Sequence, residues 1–217
     1  YQNINLNGVI KNGDFEVTAD AKDPNLTFGL ISSGSFRDKY PSAKVKLNVD
    51  IADLNKLNLH AGPMKLKGII DADFQTIDLD YLNGNIKANT LFISNEKHEV
   101  TLDSITLVAT STVDKNTLFL QSSFLNAEVN GKYKLSQIAN AFSNSLTRYY
   151  DTNPKSKKIG TETQQFDLKM EIKHHPIFLV FLSELKSFDP ITVAGKYNSE
   201  NDYIMLIKII VMVIIII

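Results

Sequence analysis

Apolar and polar residues alternate along most of the chain with a period of two, the signature of strands that are dry on one side and wet on the other. Phe15, Val17, Ala19 and Ala21 share a face before the turn-like Asp23, Pro24 and Asn25. Val45, Leu47, Val49 and Ile51 share another, with Lys44, Lys46, Asn48 and Asp50 facing the other way. Polar turn residues such as Val113 to Asn116 punctuate the runs.

The alternation loses its step at four places. Val100 and Leu102 are followed by Ile105 and Leu107, so an odd gap moves the apolar positions to the opposite parity. The same happens from Ile86 and Ala88 to Leu91 and Ile93; from Ile70, Ala72 and Phe74 to Ile77 and Leu79; and from Leu118 and Leu120 to Leu125, Ala127, Val129 and Tyr133. A one-residue bulge restores the following residues to the original face, whereas four tight turns would leave strands of only about five residues. The pattern therefore predicts long strands, each kinked by a bulge, laid side by side so that the sheet bends along a common line. The expected fold is mainly β, a long curved antiparallel sheet folded into an elongated groove, with a few short amphipathic helices between strands.

Helical spacing interrupts the strands. Ser136 can cap a helix in which Ile138, Phe142, Leu146 and Tyr149 form a stripe, closing a first groove segment over 1–150. Pro176 suits a first helical turn, and Ile177, Phe181, Leu185 and Phe188 recur about every four residues within a strand, helix, strand continuation over 166–202. A weaker signal covers Ala52 to Leu59. Residues 151–165 read as a polar linker loop. The apolar tail, 203–217, is too short to span a bilayer as a helix and lacks alternation; its four terminal isoleucines read as a placeholder, and no function is assigned to it.

Composition removes several classes. The 217 residues include 23 Lys and Arg against 24 Asp and Glu, a net charge of −1, which gives no bulk attraction for nucleic acid. There are no cysteines, so disulfides, thiolate metal sites and a cysteine nucleophile are excluded. No phosphate loop, dinucleotide fingerprint or serine elbow is present. Asp71, Asp73, Asp78 and Asp80 form the densest carboxylate cluster, for which a calcium site is the sharper reading and a solvated strand face the plainer one. His174 and His175 would point to opposite faces and mark a strand-to-helix junction. The expectation is no catalytic residue, no metal and no cofactor. A start at Tyr1, with neither methionine nor signal sequence, reads as a piece of a longer or processed protein.

The segment from Thr117 to Phe142, with its Ser123 and Phe124, Ala127 and Val129, Gly131 and Tyr133, and the helix from Ser136, resembles the TamB family of the AsmA-like superfamily, Bacteroidetes type. Pro176, Leu182, Leu185, Gly195 and Tyr197 also fall in matching places. The resemblance covers roughly Lys44 to Ser199 and is patterned, without invariant catalytic residues to anchor it. It implies an interior stretch of a periplasm-spanning protein. An N-terminal helix absent here would anchor it in the inner membrane, it would meet an outer-membrane barrel of the TamA type, and its apolar groove would conduct phospholipid between the membranes.

Such a groove would hold phospholipid acyl chains on Val45, Leu47, Val49, Ile70, Ala88, Leu102, Ile105, Leu107, Leu118, Leu120, Leu125, Ala127, Val129, Tyr133, Leu168, Met170, Ile172 and Val193. A chain of about 16 methylenes loses on the order of 13 kcal/mol on leaving a bilayer, so a carrier must offer a continuous apolar path. A scaffold or chaperone for outer-membrane protein assembly is the alternative, offering a sheet edge to incoming strands. An extracellular adhesive sandwich, with its interior faces closed on each other, is a further one.

Overall fold

A computed structural model describes residues 3–147, 160–182, 185, 187–201 and 203–210. Among the described residues, twelve strands form one open antiparallel sheet in which every strand lies beside its neighbours in sequence. They are β1 (Ile4–Lys11), β2 (Asp14–Asp23), β3 (Leu26–Ser35), β4 (Ser42–Asp53), β5 (Lys65–Thr76), β6 (Asn83–Ser94), β7 (Glu99–Ser111), β8 (Asn116–Ser122), β9 (Leu125–Lys132), β10 (Gln165–Ile172), β11 (Ile191–Asn198) and β12 (Tyr203–Ile210). Helix α1 (Leu135–Thr147) follows β9, and α2 (Ile177–Phe181) follows β10. Among the described residues, no helix is long and apolar enough to cross a membrane.

Because side chains opposite one another in a ladder share a face, the register defines the two surfaces of the sheet. One inner row runs Gly8, Val17, Ser32, Val45, Ala72, Ile86, Leu107, Leu120, Ala127, Met170 and Val193, each paired with the next. The matching outer row carries Lys46, Asp71 and Lys87, and next to it Lys44 bridges Asp73 at 3.1 Å. Most outer side chains are exposed, whereas inner ones on β2 to β11 are half-buried or buried. In a single layer, that asymmetry arises when the apolar face is the hollow one, where neighbouring side chains shield each other.

Two of the four phase steps lie inside strands. Ala88 pairs with Ile105 and Leu91 with Leu102, so β6 and β7 step together at Thr90 and Asp103. Thr90 has φ 51°, the left-handed region. Against β5, β6 carries one extra residue between the pairs Ile69 with Asn89 and Lys67 with Phe92. A step in β4 between Val49 and Ala52 faces the same stretch of β5. Between them sits Gly68, φ 155°, where a Cβ would meet Leu91 Cδ2 at 2.5 Å. These steps share one level of the sheet and form the expected bend line.

The other two steps are strand ends, against expectation. The step after Phe74 follows the end of β5 at Thr76, and Leu79–Tyr81 is a 3-10 turn. The step after Leu120 is the β8–β9 hairpin, closed by Ser122 Oγ accepting from Leu125 N–H at 2.9 Å. The two-residue turn at Ser123 and Phe124 pairs residues of opposite parity, Leu120 with Ala127, and so produces the same change of phase as a bulge.

Other expectations are also corrected. Residues 54–58 form turns rather than a helix, with Asp53 Oδ1 accepting from Lys56 N–H. Helix α2 stops at Phe181 because Leu182 leaves helical geometry (φ −129°, ψ 73°). Its buried residues are Ile177 and Val180, while Phe181, placed on the predicted stripe, is 60% exposed. Of the 151–165 linker, 151–159 lie outside the described residues; β9 and β10 pair directly across it, Lys132 with Gln165. The tail begins as β12 on the edge of the sheet, and 211–217 lie outside the described residues.

Candidate functional site

Seventeen of the eighteen sequence-predicted groove residues fall on the inner face by register. Val45, Leu47 and Val49 face Ala72, Ile70 and Gly68. Ile70 pairs with Ala88, which pairs with Ile105. Leu107 and Leu120 pair, and Leu118 joins Val129. Leu125, Ala127 and Val129 stand against Ile172, Met170 and Leu168, and Met170 against Val193. Leu102 is 5% exposed and packs with Val100 beneath α2. Tyr133 lies just beyond β9 at the rim, buried, its ring edge-on to Phe166 at 5.9 Å.

The inner face also holds residues that the alternation did not single out for the groove. Phe28 and Leu30 on β3 stand opposite Val49 and Leu47. Farther along β3 the inner places are Ser32 and Gly34, so its apolar signal fades halfway; Gly34 lies where the Phe15 ring covers the backbone. Gly84 repeats the device at φ 147°, with the Phe74 Cα 2.7 Å from where its Cβ would be.

Two walls rise at opposite ends of the strands. At one rim, α1 packs on β11: Phe142 lies 5.9 Å from the Tyr197 ring, and Ser145 Oγ is 3.0 Å from the Tyr197 hydroxyl. Its first turn is capped by Asp80, which accepts from the Ser136 N–H and hydroxyl. The same rim carries stacked Tyr40 and Tyr81, centroids 4.8 Å apart, with Lys39 4.9 Å from the Tyr40 centroid. Lys134 pairs with Glu162, whose hydrogen bond holds the ammonium above the usual lysine range. Burial pushes the Tyr133 phenol up to about 12.

At the other rim, α2 packs Ile177 and Val180 against Met64, Val100 and Leu102, with Leu91, Ile93 and Ile105 beside them. His175 Nδ1 accepts the Ile177 N–H at 3.1 Å, which fixes that nitrogen as the unprotonated one. Burial, then the neighbouring His174, holds His175 below the ordinary histidine value. The two histidines thus sit at the strand-to-helix junction and share no ligand geometry. The four aspartates are also engaged: Asp73 bridges Lys44, Asp71 stands between Lys46 and Lys87, Asp78 caps the 3-10 turn, and Asp80 caps α1.

Between the walls runs an aliphatic strip, half-exposed and left uncovered by the described residues, without a fixed charge in its rows. A strip of that kind can hold an extended apolar chain by dispersion and burial, and it offers no charged group to fix the chain's position along it. The opposite face has a hollow of about 280 Å³ at β8 to β11, but Glu128, Lys169 and Glu171 interrupt it.

What the register defines is an open, one-faced antiparallel trough with two short helical walls. No family model, curated protein or solved structure matches the chain.

Proposed function

We propose that the trough is a conduit for phospholipid acyl chains, as the resemblance to the TamB family implies, serving lipid movement across the periplasm by binding and sliding rather than by catalysis. The observation that supports it is the unbroken inner row from Gly8 to Val193, in which no charged residue stands. At about 4.8 Å per strand, twelve strands give a floor of roughly 50 Å, longer than the ~30 Å hydrocarbon thickness of a bilayer. Chains could therefore lie along it in succession. Mass spectrometry of organic extracts of the purified protein tests the reading. Phospholipid at near-stoichiometric amounts is expected; a lipid-free protein that also fails to take up added phospholipid refutes it.

A second reading, a scaffold for outer-membrane strands with a TamA-like partner, draws on the edge strand. All eight residues of β1 are exposed, including Leu6 at 72%. The Lys22 N–H to Asn3 carbonyl bond sets the phase of pairing with β2. It follows that Ile4, Leu6, Gly8 and Ile10 turn their backbone groups outward, where an added strand would bond. Photocrosslinkers at Asn5 or Asn7 that capture barrel strands would favour it over the conduit.

A further inference from the structure

Helix α2 is too short to be stable by itself, since isolated helices under about 12 residues are marginal in water. It is held by its packing and by one long-range polar tether, Asn95 Nδ2 to the Val180 carbonyl at 2.9 Å. What it covers is inner face: Val100 and Leu102, with Leu91, Ile93 and Ile105 alongside, continuous with the uncovered strip through Ile105 and Ala88. The segment that covers it, Ile177 to Leu182, is wholly apolar, and it presents to the floor the chemistry an acyl chain would present. Its far side already faces water, with Phe181 and Leu182 more than half exposed.

We propose that α2 is a displaceable plug, and that the floor beneath it is a further acyl-chain subsite which opens when a chain takes the place of Ile177 and Val180. The inference rests on the conduit reading and adds to it a gate. Exchange of one aliphatic occupant for another on the same floor changes little in buried area, so the two states lie close in free energy; a fixed wall would gain nothing from moving.

The natural chain has no tryptophan, so a single introduced indole reports on its own position. In Phe178→Trp the reporter rides on α2; in Leu120→Trp it sits on the uncovered floor. Oleic acid is the probe. A red shift from Phe178→Trp with a blue shift from Leu120→Trp is expected. A response from Leu120→Trp alone makes α2 a permanent wall and overturns the plug while the conduit stands. Silence from both overturns the conduit as well. Asn95→Asp supplies the second measurement. It keeps the Oδ1 that accepts from the Lys97 and His98 N–H groups and removes only the donor to Val180. Losing that tether should raise oleate affinity roughly two- to tenfold if the plug competes with the probe. Unchanged or weaker binding in a folded Asn95→Asp protein counts against it.

Discussion

Leu91 stands directly across from Leu102 on the face that also carries Ala88 and Ile105, although each strand has advanced three residues, not two, to reach it. The two strands are bent together, and Thr90 holds the bend in a backbone region that a β-branched residue occupies at a cost. Thr90→Gly should therefore stabilise the protein by about 1 kcal/mol, seen as a higher melting temperature. Deleting Thr90 should do the reverse: the even spacing keeps Leu91 and Ile93 on the floor, but β6 no longer matches the extra residue that β7 carries at Asp103, and the paired bend is lost. A deletion that melts like the parent would mean that the matched steps of β6 and β7 contribute nothing to the fold.

A charge on the floor separates a trough from a closed core. In a closed core, Val129→Asp or Leu107→Asp buries an unpaired carboxylate and costs more than about 4 kcal/mol. Both residues are half-buried on a single layer, so water reaches the new group and a loss of roughly 1–3 kcal/mol is expected in thermal melts. Lipid uptake should fall sharply in the same proteins. The control Glu128→Lys, on the other face, should alter neither.

Acid should loosen α2. His175 must be neutral to accept the Ile177 N–H, and its folded value lies below that of the unfolded chain. Its contribution is thus fully present above the unfolded value of about 6.5 and is lost as pH falls from there through the folded value. The charged groups nearby are His174 and the Lys173–Glu171 pair, at 3.2 Å. Amide exchange at Ile177 and Val180 should accelerate between pH 7.5 and pH 5 (about neutral to mildly acidic), and His175→Gln should flatten that dependence.

Alkali should act at the opposite rim. The Tyr133 phenol, raised by burial to about 12 against 10.0 for the ordinary group, stays neutral in the fold while the unfolded chain ionises. Stability is full below the unfolded value and is lost as pH rises from it toward the folded one, by on the order of 1–3 kcal/mol. Tyr133→Phe should remove that part of the alkaline transition, measured by denaturant melts at increasing pH.

The sequence showed the faces more clearly than the connections. The alternation of Val45, Leu47 and Val49 against lysines and asparagine survives intact because β4 has one wet and one dry side. Parity alone could not separate the bulge at Thr90 from the hairpin at Ser123 and Phe124, since a one-residue bulge and a two-residue turn both move the apolar positions to the opposite parity. The hairpin at Asn12 and Gly13, both at positive φ, carries a strong turn signal that apolar periodicity does not register. The helical spacing of Ile177, Phe181, Leu185 and Phe188 suggests a longer helix than α2, which ends at Phe181 and turns Ile177 and Val180, with Phe178 partly buried beside them, toward the floor. How far α1 and α2 reach over the sheet depends on pairs such as Ser145 with Tyr197, far apart in sequence, which no local pattern encodes.

The neighbour-by-neighbour order of the strands has a consequence for how such a protein could change in length. Every ladder joins segments adjacent in the chain, so a hairpin can be gained or lost without rerouting any other connection. Two strands leave the direction of the chain and the sense of each face unaltered, and they alter the span by about 10 Å. The trough behaves as a ruler graduated in hairpins, and its reach is a quantity that duplication or deletion could adjust in fixed increments while the chemistry of its floor stays the same.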